Sequence, residues 1–248
     1  MSLLAISDLH LGPSDQDRIR SFLKFLEQAL QQNHEVLIAG DLFSLWFGWP
    51  RLFYDWQIPI VERMKTLAAS GLKIDYVEGN RDLGIAESIR GVFRKTASSY
   101  LRTEWNGARI HVEHGDLINR SDIPYRVWRR VSKNPLSFFL LRHLPPSAIR
   151  RIGSKLETEM QKTNRKHKVF FPEEHCRRYY TQRFEEGADI VIVGHFHCEK
   201  EIAMRIEERE VLFYSLPGWE QGFRFLVIPG GNKKPYFQEL SDGNLAAT

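Results

Sequence analysis

At 248 residues, with 42% hydrophobic, 12% aromatic and 27% charged side chains, the chain has enough apolar mass for one domain with a full core. Together with a mean hydropathy of −0.38, this composition excludes a disordered chain and one built of membrane spans. The formal charge of +4 is unevenly spread: residues 118–183 hold 16 Lys and Arg against 5 Asp and Glu, a net of +11, and the rest holds 19 against 26, a net of −7. A basic segment set into an acidic body predicts an anionic partner for the segment and cation binding by the body.

In chain order, short apolar runs of strand length occupy residues 3–7, 35–40, 73–79, 109–113 and 188–194. Helical periodicity separates the first three, with Ile19, Phe22, Leu23, Leu26 and Leu30 on one face of 18–30 and Val61, Met64, Lys65 and Ala68 on one face of 58–69. The alternation predicts an α/β fold with a partly parallel sheet and helices on its faces. The basic segment 118–183 reads as a helical cap inserted in a core made of 1–117 and 184–248. Its expected stripes are Tyr125, Trp128 and Val131, then Ile149, Ile152, Leu156 and Met160, with breaks at Pro135 and Pro145-Pro146. Between the breaks, Phe138, Phe139, Leu140 and Leu141 form a dense apolar patch. After His197, strands are expected at 202–206, 211–216, 223–228 and 236–240, and this end reads as antiparallel.

Two cysteines, Cys176 and Cys198, are too few for a disulfide framework and suit a reducing compartment. The opening MSLLAISDLH lacks the basic and long apolar regions of a signal peptide, and no run of about 18 apolar residues occurs. The expectation is a cytoplasmic protein, with peripheral membrane contact left open.

Five motifs follow these apolar runs: Asp8-Leu9-His10, Gly40-Asp41, Gly79-Asn80-Arg81-Asp82, His114-Gly115-Asp116 and Gly194-His195-Phe196-His197. Each puts a carboxylate, imidazole or amide just past a strand's C-terminal end, where open α/β sheets place their sites. One such motif alone would more often cap a turn; five in order point to a shared centre. The mixed N and O donors are harder than the thiolates of structural zinc, which favours Mn2+, with Fe2+, Co2+ or Zn2+ as alternatives.

These five motifs resemble those of the calcineurin-like metallophosphoesterase superfamily. The resemblance implies a four-layer αββα sandwich and two divalent metal ions. One would be held by Asp8, His10, Asp41 and His197, and the other by Asp41, Asn80, His114 and His195, with Asp41 as the bridge. Asp41, Asn80, Arg81 and His114 would carry the catalysis. Arg81 stands where the commoner pattern has a protonatable His. Arginine cannot release a proton, but it binds phosphate oxygens, which favours a leaving group that needs no proton, such as a phosphate monoester with a second pKa of about 6. The alternative for Arg81 is an ion pair with Asp82 or another acid.

Within the superfamily, Asp8-Leu9-His10-Leu11 and Gly40-Asp41-Leu42-Phe43 with Trp46 and Gly48 resemble the UDP-2,3-diacylglucosamine pyrophosphohydrolase family of lipid A synthesis. The resemblance implies hydrolysis of the diphosphate bond to UMP and 2,3-diacylglucosamine 1-phosphate, under a helical cap that receives the acyl chains. Tyr125, Trp128 and 138–141 would line an apolar slot. Arg129, Arg130, Arg150, Arg151 and Lys155 would meet phosphates or an anionic membrane surface, and Asn164, Arg165, Lys166 and Lys168 are candidates for the headgroup. The partners the resemblance implies are thus a nucleotide-linked glycolipid and the cytoplasmic face of the inner membrane, where the protein would be peripheral, with no nucleic acid and no protein partner. Two alternatives stay open: a phosphodiesterase acting on another nucleotide-linked lipid, a soluble nucleotide or nucleic acid, and a metal-free scaffold.

Overall fold

Strand β1 (Ser2–Ile6) is buried along its whole length and serves two cores at once. Leu4 and Ile6 pack with Phe22, Phe25, Val61 and Met64, whereas Leu3 and Ala5 pack with Ile110, Val112, Ile190 and Ile192. Side chains alternate across a strand, so a run that is apolar on both faces belongs to a sheet covered on both sides. In the computed structural model, which describes residues 1–85, 89, 91–167, 171–231, 233–241 and 245 apart from the side chains of Pro124 and 157–167, that sheet is one of two packed together.

The first sheet has the order β13 (Tyr236–Glu239), β12 (Arg224–Pro229), β1, β2 (Glu35–Ile38), β4 (Ile74–Val77), β6 (Lys95–Ala97). Strands β1, β2, β4 and β6 are parallel, and β12 and β13 are added antiparallel. The second has the order β10 (Lys200–Ile206), β11 (Arg209–Ser215), β9 (Ile190–Val193), β8 (Ala108–Glu113), β7 (Tyr100–Trp105). Here β11, β9 and β8 are parallel and the two edge strands antiparallel. A short parallel pair, β3 (Trp46–Phe47) with β5 (Asp82–Leu83), stands apart.

Helices α1 (Gln16–Gln31) and α2 (Ile58–Ala69) cover the first sheet through Phe22, Phe25, Leu26, Val61 and Met64. Helix α6 (Glu173–Glu185) covers the second, with Cys176, Tyr180 and Phe184 against Val191, Val193, Val211 and Phe213. The layers therefore run helix, sheet, sheet, helix, as the resemblance implied. Between β8 and α6 lie α3 (Ile123–Ser132), α4 (Pro135–His143) and α5 (Pro146–His167). Prolines open α4 and α5 at their first turns, where a missing N–H costs nothing. Phe138, Leu141, Leu144 and Leu156 pack around a small buried cluster of Leu45, Phe47, Trp49, Leu52, Leu83 and Ile149. Among the described residues no helix is long and apolar enough to cross a membrane.

Of two further expectations, one is borne out and one needs correction. The C-terminal strands pair antiparallel as expected, β10 with β11 in the second sheet and β12 with β13 in the first. The chain between them passes the end of the sandwich, where Trp219 N donates to Asp8 O at 3.3 Å. Apolar residues on both faces specify burial but not which sheet supplies it. The correction concerns α3. Val131 and Trp128 are 53% and 37% exposed, together with Ile123 and Val127, while Arg129 is buried. The apolar stripe faces outward, because the inward stripe answers buried carboxylates described below. In α5 the inward line runs through Ile149, Gly153 and Leu156; Ile152 is 39% exposed, and the side chain of Met160 lies outside the description.

Candidate metal centre

Parallel strands point the same way, so β1, β2 and β4 of one sheet and β8 and β9 of the other deliver all five motifs to one end of the sandwich. The loops then interlock. Asp8 N donates to Gly40 O (3.1 Å), His10 N to Asp41 O (2.9 Å) and Gly194 N to His114 O (2.9 Å). His195 N donates to Asp8 Oδ2 at 2.7 Å, tying the loop after β9 to the loop after β1.

Backbone conformation at this end is unusual. Asp8, His10, Asp41, His195 and His197 all have positive φ, between 44° and 69°. Non-glycine residues seldom adopt the left-handed region, and concentrations of such residues mark functional sites that the surrounding structure holds in place. Close approach is equally severe. A Cβ on Gly79 would lie 2.1 Å from Asp41 Oδ1, and one on Gly218 would lie 2.5 Å from His197 Nδ1. Only glycine permits these loops to touch.

The side chains converge on buried Asp8 and Asp41. Asp8 Oδ1 lies 3.3 Å from His197 Nε2, 3.7 Å from His10 Nε2 and 4.0 Å from His114 Nε2. Asp41 Oδ2 lies 3.6 Å from His114 Nε2 and 3.8 Å from His10 Nδ1. Asn80 Oδ1 completes the other side, 3.0 Å from His114 Nε2 and 3.2 Å from His195 Nδ1. Among the described residues, two groups have donor atoms close enough to hold an ion: Asp8, His10 and His197, and Asp8, Asp41 and His114. Asp8 is common to both, while Asp41 reaches a histidine of each.

Electrostatics and unpaired atoms fit a cation here. Asp8 Oδ1 and His10 Nδ1 are buried without a hydrogen-bond partner, an arrangement that normally costs about 1–3 kcal/mol per group. Burial opposes the charge on Asp8, yet His197, His114 and His10 hold its carboxyl well below the usual range. Burial, with Asp82 and Asp8 nearby, pushes Asp41 up to about 7 despite His114 and Arg81. A buried carboxylate whose charge is this expensive is one that a bound cation stabilises. His114 Nδ1 faces Ala39 O at 2.7 Å and His197 Nδ1 faces Glu220 Oε1 at 3.2 Å, so both rings carry the proton outward and turn Nε2 inward.

Arg81 is buried. Its backbone N–H donates to Asp41 Oδ1 (2.8 Å), Nη1 donates to Ser44 O (3.2 Å), and Nε lies 3.7 Å from Asp41 Oδ2 with no hydrogen-bond partner. Its acidic neighbour is thus Asp41. Asp82 is engaged elsewhere: its Oδ2 accepts from Asp41 N (2.9 Å), Gly79 N (2.7 Å) and Tyr76 Oη (2.7 Å), pinning two motif loops together.

The expected cap residues fare unevenly. The ring of Tyr125 is 6.4 Å from that of His195, and its hydroxyl donates to Asp116. Trp128 lies on the outward side of α3. Arg129 does not present itself to a phosphate; it is spent on Asp116, 2.7 Å away. Asn164, Arg165 and Lys166 fall in α5, but their side chains lie outside the described residues, as does all of Lys168. The sequence reading missed Glu220, which orients His197, and Lys133, bonded to Gly79 O at 2.7 Å. Neither sits in a motif, and no local signal marks either.

Comparison with known proteins agrees with this geometry. A model of calcineurin-like phosphoesterases matches residues 1–199. A UDP-2,3-diacylglucosamine hydrolase of Azotobacter vinelandii is 30% identical over 238 residues, covering 93% of this chain and 95% of the relative. One of Pseudomonas aeruginosa is 28% identical over 243 residues, covering 96% and 99%. Among solved structures, an archaeal phosphodiesterase superposes with a TM-score of 0.52 at 13% identity, covering 97% of this chain and all of that one, a likeness of fold.

Proposed function

The chain belongs to the calcineurin-like phosphoesterase family and, within it, to that of the UDP-2,3-diacylglucosamine hydrolases, and from that premise we propose that it hydrolyses the diphosphate bond of UDP-2,3-diacylglucosamine, yielding UMP and 2,3-diacylglucosamine 1-phosphate for lipid A synthesis. It is a metal-dependent hydrolase. The observation that carries the substrate reading is the buried convergence of Asp8, His10, Asp41, His114 and His197 with a guanidinium, rather than an imidazole, beside Asp41.

In this reading Asp8, His10, Asp41 and His197 hold one divalent cation, and Asp41, Asn80, His114 and His195 hold the other. When bound, such a pair supplies Lewis acidity to phosphoryl oxygens and lowers the pKa of water. Mn2+ is the ion these N and O donors favour. The remaining work falls to the chain. Ala39 O and Glu220 fix the tautomers of His114 and His197, and Asp82 keeps the loop of Asp41 against that of Asn80. Arg81 offers N–H donors to phosphate oxygens and stabilises charge as it develops, without giving a proton. With water attacking the α-phosphate to give UMP, 2,3-diacylglucosamine 1-phosphate leaves as a monoester that needs none.

The helical segment of residues 118–183 acts as the lipid-receiving cap. Ile123, Val127, Leu136, Phe139 and Leu140 are between 55% and 67% exposed, and Arg126, Arg130, Arg142 and Arg151 are exposed with them. Apolar side chains interleaved with arginines suit the anionic cytoplasmic face of the inner membrane.

The test is turnover of detergent-dispersed UDP-2,3-diacylglucosamine by the Mn2+-loaded protein, with single-stranded DNA and bis-p-nitrophenyl phosphate as competitors. Release of UMP is expected. Cleavage of DNA with the lipid left intact would overturn the assignment.

A further inference from the structure

Helix α3 turns a polar stripe inward. Tyr125, Arg129 and Lys133, four residues apart, lie along one side of it, Lys133 at its C-terminal cap. Each is bonded to a loop that carries a motif. Tyr125 Oη donates to Asp116 Oδ2, and Arg129 Nη1 lies 2.7 Å from the same oxygen. Arg129 Nη2 also donates to Ser98 O (3.3 Å). One turn further on, Lys133 Nζ donates to Gly79 O at 2.7 Å and to Glu78 Oε2 at 3.1 Å. The Lys133 and Glu78 side chains are 10% and 1% exposed, and those of Arg129 and Asp116 9% and 1%. Ion pairs this deep are poor general stabilisers, because desolvation offsets most of the Coulomb gain, but they are strongly directional.

What they direct is the metal centre. Gly79 O belongs to the peptide that leads into Asn80, whose Oδ1 meets His114 and His195. Asp116 follows His114 by two residues. We propose that Arg129 and Lys133 are positioning residues of the metal centre: seating α3 sets the 78–81 and 114–116 loops, and so the cation affinity of the residues they carry. The proposal rests on the reading of this constellation as a metal centre. Part of the +11 charge of the segment then serves to hold the cap on the acidic body rather than to meet an outside anion. By reciprocity, cation binding must tighten the seating of α3 by the factor with which seating tightens cation binding.

The experiment is Mn2+ titration by calorimetry on the full chain, with amide hydrogen exchange on the same samples. Lys133→Met is expected to weaken Mn2+ binding by about 10- to 100-fold, the range usual for outer partners of metal ligands. Because that variant breaks the buried ion pair with Glu78, Glu78→Gln with Lys133→Met removes both charges of the pair together with the grip on Gly79; binding about tenfold weaker is expected there too. In the unmodified chain, saturating Mn2+ should slow exchange across residues 123–133. Wild-type affinity in the double variant, or Mn2+ that protects 78–81 while leaving 123–133 unchanged, overturns the proposal with the metal centre intact. No Mn2+ binding by the unmodified chain overturns both.

Discussion

His10 and His197 face each other across the candidate site, with their Nε2 atoms 3.2 Å apart and their rings stacked at 5.1 Å between centroids. They are 187 residues apart in sequence. Glu220 Oε1 faces His197 Nδ1 at 3.2 Å, which turns Nε2 of the ring toward His10 and Asp8 Oδ1. In the proposed function these three side chains would hold one divalent cation, and their donor atoms lie close enough to do so.

Removing either ring should therefore cost metal before it costs fold. His197→Ala is expected to bind about one metal fewer per chain and to lose ~100-fold or more in turnover, whereas Glu220→Gln, which weakens only the acceptor behind the ring, should lose about tenfold. Metal analysis after Mn2+ loading, paired with turnover of a soluble diester, checks both. Full metal content in His197→Ala would remove it from the ligand set.

Asp41 and Arg81 are expected to separate metal binding from phosphate handling. Asp41→Ala deletes the carboxylate that reaches His10 and His114, and should abolish turnover. Arg81→Ala keeps the backbone N–H that bonds Asp41 and loses only the guanidinium. It should retain its metals while kcat/KM falls about 100- to 1000-fold. Loss of both metals in Arg81→Ala would contradict the role given to it.

The outward face of α3 and α4 should govern membrane contact. Leu136→Glu with Phe139→Glu replaces two side chains that are 67% and 58% exposed. Binding to vesicles rich in anionic lipid should fall by about tenfold or more, since each buried CH₂ is worth about 0.8 kcal/mol at an interface. Cosedimentation reads this directly. Unchanged vesicle binding would assign the face to something other than a bilayer.

A pH dependence of stability is expected at Asp189. Its carboxylate accepts from Arg109 N (2.9 Å), Nε (3.0 Å) and Nη2 (3.0 Å) and from Arg209 Nη1 (2.8 Å). Burial works against its charge, but these donors prevail and hold the carboxyl below its usual range. A depressed folded-state pKa stabilises above the unfolded value of about 3.9, and the gain is lost as pH falls through the folded value. At pH 7, Asp189→Asn should be less stable by about 1 kcal/mol, discounted for solvent screening. Urea midpoints from pH 7 to pH 3 should show the gap narrowing below pH 4; a constant gap would refute the assignment.

The alternation of strands and helices was legible in the sequence because it follows from local rules, whereas the four layers and the proposed ligands were implied by the resemblance of the motifs. Runs of strand length end in Asp8, Asp41, Asn80, His114 and His195, and a parallel strand exposes its site at its C-terminal end. Helix α2 falls at Ile58–Ala69, where periodicity alone placed it. Less legible was the buried face, since periodicity marks a stripe but not its partner. Helix α3 offers an apolar stripe and a polar one, and the polar stripe went inward because Asp116 and Glu78 are buried at 3% and 1% exposure and need cations.

From the sequence alone came the donors, their order along the chain and the charge of the inserted segment, because residue type and spacing are properties of the chain itself. Only the tertiary structure decided the rest: left-handed backbone at Asp8, His10, Asp41, His195 and His197, the contact of Gly79 with Asp41, the split of β11 and β12 between sheets, and Lys133 on Gly79 O. Each of these is set by groups distant in the chain that packing brings within a few ångströms. No local propensity records such a meeting.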